Sequence, residues 1–378
     1  VPSNNSHETI IGVRRTNTRA VLACLQEKGD FQSLEELARE TNLSRPTVTQ
    51  VLRSLCDTGL VERSLGTTKS FGGRPPKLFR IKSEHHATLI LRLTLWEVMG
   101  FLQDATGRTI AEASLPYEEM SQAGDVLIEL AKQLVAQKPE GVPLARTVVV
   151  VIGVVRDGKW IRSRNYPDLI GGKLEEQLSP VVECPLVIAN DAKLAGYAAH
   201  RLLPEDAPDS IVGVHISEAI GCSLVMNGQV VEGAHGAAGE VGTDRQNGWW
   251  EAELLLRDAT TKRGINNREL FILAGEGEEW AQDVVAKAAG QIARGLVPIV
   301  LGFDPAQVVI MGAIEDCGNI AVDAMSAVFN RIVPFPPEVI MLANSASCVH
   351  DGARMVAFKK ETDDIFKAIM ASKAKNGK

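Results

Sequence analysis

From Ala87 onward the chain carries short, unbroken apolar runs that alternate with amphipathic stretches. "ARTVVVVIGVVRDG" and "PLVIAND" read as buried strands, and strands covered on both faces need helices above and below their sheet. Between such runs, "DVLIELAKQLVAQ" and "AKLAGYAAHRLL" have helical spacing, and the Ala- and Gly-rich stretch from Glu278 to Leu301 reads as one long helix. "ATLILRLTLWEVMGFLQDATGRTIAEASL" reads as a hairpin turning at Asp104–Gly107 and a third strand. "SIVGVHI" and "GCSLVMNGQVVEG" make a further strand pair, and "PAQVVIMGAI" one more strand that ends on glycine. The alternation predicts an α/β body with two sheets and helices packed on their faces.

The first 82 residues differ in kind. They hold 13 Lys and Arg against 8 Asp and Glu, whereas the rest of the 378-residue chain holds 27 against 39. A basic head on an acidic body points to a small module for a polyanion joined to a domain that avoids one. The length suits two or three domains. The polar start "VPSNNSHET" does not read as a signal peptide, and no apolar run is expected to reach the roughly 18–20 residues of a membrane span. A cytoplasmic protein with no membrane partner is the expectation. Six cysteines lie far apart without a C-x-x-C pair, so they read as reduced, buried thiols.

Within the head, Ala20, Val21, Cys24 and Leu25 recur at helical spacing between Thr16 and Gln26. Ser33 followed by Glu36 is a capping-box pattern, with Leu34, Leu37 and Ala38 as the apolar stripe behind it. After a short turn at Thr41-Asn42-Leu43, Ser44 is a second N-cap and Pro46 falls in the first helical turn, where a missing N–H costs little. Val48, Val51, Leu52 and Leu55 form the buried face of this helix, and Gly59 ends it. Arg45, Thr47, Thr49, Gln50 and Arg53 stay outside the stripe, with side chains able to touch base edges and phosphates. Leu60–Arg63 and Lys77–Ile81 then read as two strands around a Gly-, Thr- and Lys-rich loop that carries Lys69 and "FGGRPPK". That is a winged helix-turn-helix over residues 1–82, and its partner is a double-stranded DNA operator. Glycine allows close approach and proline holds the chain extended, so Arg74 reads as a probe for a narrow minor groove on a segment that also leads to the next domain.

"NDAKLAGYAAHR", "EGAHGAAGEVGT", "IARGLVPIVLGFDPAQVVIMGA" and "DGARMVAF" together resemble the ROK family of repressors and sugar kinases, and the basic head with "GGRPPKLFRI" resembles its repressor branch. The resemblance runs from about residue 15 to 360. It implies a two-lobed actin-like, sugar-kinase-like domain over residues 83–378, with a cleft between the lobes. It also implies sugar contacts: Asn190 and Asp191 match the family's Asn-Asp pair, whose Asp is the general base in the kinases. Glu240 matches the Glu of Ala-Gly-Glu, Glu251 falls where a later Glu ligand stands, and Asn165 matches more loosely. Carboxylates and carboxamides suit vicinal hydroxyls because each can hold two hydrogen bonds at once.

The departures from the family pattern carry as much weight as the matches. Where the kinases have the Asp of a glycine-rich phosphate loop, this chain has Arg92 in Arg92-Leu-Thr-Leu95, and the second loop reads "SEAIGCS", with Glu218 close to where phosphate would lie. The family's zinc-binding His position is Thr243, and "DRQNGWWEAE" has no cysteine. His235 nearby stands alone. Trp249 and Trp250 stand in place of the cysteine cluster. They either fill the space the metal would structure, stack on a ligand's apolar face, or mark a surface for a protein partner. The expectation is a transcriptional regulator, a repressor, controlled by a sugar-like effector, without catalysis, cofactor or metal. A homodimer or higher homo-oligomer would match palindromic half-sites. The alternative is a sugar kinase with an appended DNA-binding module.

Overall fold

The computed structural model describes residues 5–66, 76–204 and 206–376. The head contains α1 (Asn5–Lys28), the short strand β1 (Gln32–Ser33), α2 (Leu34–Glu40), α3 (Arg45–Asp57), β2 (Val61–Leu65) and β3 (Lys77–Ile81). Both predicted caps form. Ser33 Oγ accepts from the Glu36 amide at 3.2 Å while Glu36 Oε2 accepts from the Ser33 amide at 2.8 Å. Ser44 Oγ accepts from the Thr47 amide at 3.3 Å. Val48, Leu52 and Leu55 are buried, with Val51 partly so. Two features escape the apolar pattern: α1 begins well before Thr16, and β1 pairs antiparallel with β3 to make a three-stranded wing sheet.

The first lobe comprises β4 (Ala87–Leu93), β5 (Glu97–Asp104), β6 (Thr109–Pro116), α4 (Ala123–Val135), β7 (Leu144–Val151), the hairpin β8 (Val154–Arg156) and β9 (Lys159–Arg162), α5 (Lys173–Val182) and β10 (Leu186–Asn190). The chain then runs through α6 (Asp191–Leu202) into the second lobe. That lobe holds β11 (Ser210–Ile216), β12 (Ile220–Met226), β13 (Gln229–Val230), α7 (Gly248–Thr261), α8 (Asn267–Gly275), α9 (Glu279–Phe303), β14 (Gln307–Met311), α10 (Ile320–Ile332) and β15 (Glu338–Met341). The last element is α11 (Cys348–Asn376).

The two lobes repeat one topology. One sheet is ordered β6-β5-β4-β7-β10 and the other β13-β12-β11-β14-β15. In each, three antiparallel strands are followed by two parallel ones. α4 and α5 cover the outer face of the first sheet, and α7–α10 that of the second. Between the inner faces lie α6 and α11, where Leu194, Ala198, Cys348 and Ala353 pack with Ile90, Val150, Ile211 and Val309. Contrary to the expectation from apolar runs, α9 is long and apolar enough by length and composition to cross a membrane, but its face from Ala281 through Ile292 to Val300 is built into the second lobe's core. All six cysteines are unpaired; Cys222, Cys317 and Cys348 are buried and the others partly so.

α11 does not stop at the body. Its far half enters the apolar cluster of the head, where Ile369, Phe358 and Ile365 join Val21, Leu25, Leu52 and Phe79. Ala105, from the β5–β6 turn, completes the same cluster. Arg19 of α1 donates to Asp363 at 2.8 Å. The packing therefore runs across the boundary expected after residue 82.

Candidate functional site

Two places collect the functional side chains. The first is α3. Arg45 is exposed and donates to Glu35 of α2 at 2.7 Å. Thr49 Oγ1 donates to the Arg45 carbonyl at 2.8 Å, so the first turn is held from within. Thr47 and Gln50 line, with Ser54, one wall of a groove of ≈ 310 Å³ whose other walls are α1 and the end of α11. Arg53 is exposed. Lys69 and Arg74 lie outside the described residues.

The second place is the junction of β10 and α6, at the carboxyl end of a parallel strand, where open α/β sheets bind ligands. Asn190 is the N-cap of α6. Its Oδ1 accepts from the Lys193 amide at 2.9 Å and its Nδ2 donates to the Gly153 carbonyl at 2.9 Å. Both ends of this carboxamide are thus engaged by the fold. Asp191 accepts from the Ala192 amide at 2.8 Å and shares a cavity of ≈ 40 Å³ with Arg92, His215 and Glu218. Burial pushes the Asp191 carboxyl above its ordinary range, and Arg92 opposes that shift. Burial likewise lowers the Arg92 guanidinium and drives His215 down to about 3, so His215 is neutral. Glu240 is raised first by burial and then by the Asp191 charge, while Lys193 and Arg162 act the other way. The Asp191 charge is therefore one of the influences on Glu240.

The two turns at the mouth are closed by side chains. The Thr94 carbonyl, in the β4–β5 turn, accepts from the hydroxyls of both Tyr117 and Tyr166. Thr94 Oγ1 in turn accepts from the Glu97 amide at 3.2 Å. Glu218 of the β11–β12 turn lines the same cavity as Thr94 and Leu95 of this turn, and burial raises the Glu218 carboxyl. At the other end, Arg164 of the first lobe donates to Glu253 of α7 at 3.1 Å. Arg164 and Arg245 both lie over the Trp250 ring, at 5.0 and 5.2 Å from its centroid. Asn165 is partly buried between Arg164 and the anchored Tyr166. Glu251 is exposed on the first turn of α7, and the acidic side chain of α7 that reaches the first lobe is Glu253 instead.

Trp249 is 1 % exposed and belongs to the second lobe's core, so it is closed to ligand and partner alike. The segment before α7 offers Thr243, Asp244, Arg245, Gln246 and Asn247, and Asn247 caps α7 through the Trp249 amide at 3.1 Å. One carboxylate without thiolate or imidazole does not fit the zinc ion that the family resemblance implies.

Lys193, Arg162, Arg164, Glu253 and the tyrosine pair escape reasoning from motifs alone. Lys193 left a signal: it is a lone charge on the apolar face of α6, and a buried ammonium needs partners. The other residues reach the site from distant segments and left none.

The family model described as ROK matches residues 97–247 and 249–356, and the one described as winged helix-turn-helix DNA-binding matches residues 14–62. N-acetylmannosamine kinase of Salmonella paratyphi B is 26% identical over 255 residues, covering 63% of this chain and 85% of that protein. The same enzyme of Salmonella newport is 28% identical over 212 residues, 51% of this chain and 72% of its own. Among solved structures, a ROK family transcriptional regulator described as a homolog of the E. coli Mlc protein superposes with a TM-score of 0.66 at 17% identity, covering 94% of this chain and 99% of its own. The ROK glucokinase of Streptomyces griseus, in complex with glucose and AMPPNP, gives 0.58 at 18%, over 71% of this chain and 98% of that one. These structures share the fold, and the family matches span most of the sequence: the chain belongs to the ROK family and joins a winged helix-turn-helix DNA-binding head to a ROK domain.

Proposed function

We propose that the protein is a transcriptional repressor whose cleft takes a sugar or sugar derivative as effector and whose head, in a homodimer or higher oligomer, binds a double-stranded DNA operator. Residues 1–82 read the DNA, and residues 83–378 bind the effector and oligomerise. The observation that carries the reading is Arg92: a half-buried arginine that lines one cavity with Asp191 and Glu218. Phosphoryl transfer needs backbone amides and cations arranged around the phosphates. Here Arg92-Leu-Thr-Leu95 has no glycine, and Glu218 brings a like charge to the phosphate position. Asn165, Asn190, Asp191, Glu240 and Glu251 are assigned to the effector, and Asn190 also caps the helix that presents Asp191. Arg45, Thr47, Thr49, Gln50 and Arg53, with Lys69 and Arg74, are assigned to DNA. An effector that prefers one arrangement of the lobes shifts α6 against α11, and α11 is a wall of the head.

The second reading is a sugar kinase with a DNA-binding module, favoured by Asp191 and by the relatives named as kinases. One thermal-shift screen separates the two, with sugars, sugar phosphates and ATP applied to the wild type and to Glu240→Ala. A ligand at a hundred times its Kd stabilises by about 2.7 kcal/mol. Stabilisation by a sugar that disappears in Glu240→Ala supports the repressor reading. Stabilisation by ATP, with product formed, overturns it in favour of the kinase.

A further inference from the structure

Lys193 stands in the first turn of α6 and is 7 % exposed. Its Nζ donates to the Gly236 carbonyl at 2.6 Å and to Glu232 Oε2 at 2.8 Å. Both acceptors lie on the segment 231–240, which leaves the second lobe after β13 and ends at Glu240. Gly236 has φ +72°, and a Cβ there would sit 2.2 Å from the Val155 carbonyl of β8, so the segment is wedged against the first lobe. We infer that Lys193 is a positioning residue for the cleft: it pins the 231–240 segment across the lobes and brings a positive charge to Glu240, at the end of that segment.

The two bonds are unequal in worth. Glu232 is 64% exposed, and such an ion pair contributes little. The Gly236 carbonyl is buried with the ammonium, and a charge-assisted bond there is shorter and stronger. Removing Lys193 leaves that carbonyl without its donor and takes from Glu240 a positive charge that opposes the Asp191 charge. The titratable and charged groups that face the pair are Arg92 from β4, Arg162 from β9, Tyr166 beyond it, Lys193 from α6, His215 from β11, Glu218 from the β11–β12 turn, Cys222 from β12, and each carboxylate itself. Glu232 and His235 lie on the pinned segment and are exposed.

Use of the cleft by an effector rests on the function proposed above. The pin does not, and its test uses neither effector nor operator, so either can fail without the other. The full chain is compared with Lys193→Met by hydrogen exchange and by thermal melting at pH 7.5 and 5.0, each with and without Glu240→Gln. Amides in 232–239 are expected to exchange at least about tenfold faster in Lys193→Met, a change equal to about 1.4 kcal/mol of local opening. The loss of Tm is expected to be larger at pH 7.5 than at 5.0. The carboxyls that burial holds above their ordinary range take up protons first in the folded state, which relieves the repulsion that Lys193 otherwise offsets. With Glu240→Gln the loss becomes equal at both pH values. Packing alone would give equal losses in every background. Equal losses without Glu240→Gln, or unchanged exchange, overturn the inference. If Lys193→Met does not fold at pH 7.5, recovery at pH 5.0 or with Glu240→Gln supports it, and recovery in neither overturns it.

Discussion

Gly352 allows a test in which two effects of opposite sign meet. It is buried in the first turns of α11, where the helix crosses α6. By propensity alone, Gly352→Ala would stabilise a helix interior by about 1 kcal/mol. The packing says otherwise. A Cβ at this position would lie 2.2 Å from the Leu194 carbonyl oxygen, 2.6 Å from its carbon and 2.9 Å from its Cα. Contacts of real Cβ atoms are essentially never under 3.0 Å, and the three nearest atoms are all backbone, which cannot rotate away. The two helices must separate by roughly 0.8 Å, the gap between 2.2 and 3.0 Å. Overpacking of this kind costs about 1–3 kcal/mol, with the upper end expected where no side chain can yield. The net expectation is destabilisation by about 2 kcal/mol. Gly290 in α9 is the control, because a Cβ there meets nothing within 4 Å. Gly290→Ala is expected to stabilise by up to about 1 kcal/mol. Urea unfolding followed by circular dichroism compares the midpoints. A Gly352→Ala protein as stable as Gly290→Ala would refute the claim that α6 and α11 are in backbone contact.

The other predictions follow from the same geometry. Ile369→Ala, at 7 % exposure in the head's cluster, is expected to cost about 2 kcal/mol, at the low end for a buried isoleucine; an unchanged melting curve would detach α11 from the head. His215 is 4 % exposed and held down to about 3, so between pH 6.5 and 3 the unfolded chain binds the proton that the folded one refuses, and stability falls as pH falls. His215→Gln should therefore lose less stability than wild type on going from pH 7 to 5, by on the order of 2 kcal/mol, as read by urea midpoints at the two pH values. Arg53→Ala should weaken DNA binding alike on all sequences and flatten the slope of log K against log salt by about 1; a sequence-dependent loss would make Arg53 a base reader instead.

Much of the head was legible in the sequence because its signals are local. Ser33 with Glu36 and Ser44 with Pro46 cap helices within four residues of themselves, and Val48, Leu52 and Leu55 mark a buried face by spacing alone. The alternation after Ala87 likewise determined two sheets with helices on both faces, while the candidate site at the strand end before Asp191 came from the family resemblance and not from periodicity. Neighbouring residues carry such information because capping and periodic burial act over one or two turns.

Only the tertiary structure decided who meets whom at that edge. Asn190 matches a ligand position in the sequence, and the structure adds that one bond at each end of its carboxamide goes to the fold, to Gly153 from 37 residues away and to the Lys193 amide. Glu253 rather than Glu251 crosses to the first lobe, although both lie on α7 two positions apart. The stretch "DGARMVAF" opens a helix whose far end closes the head, and Arg19 meets Asp363 across 344 residues. No period or motif encodes such meetings, because burying apolar faces against one another is non-directional and settles partners only when the whole chain has packed.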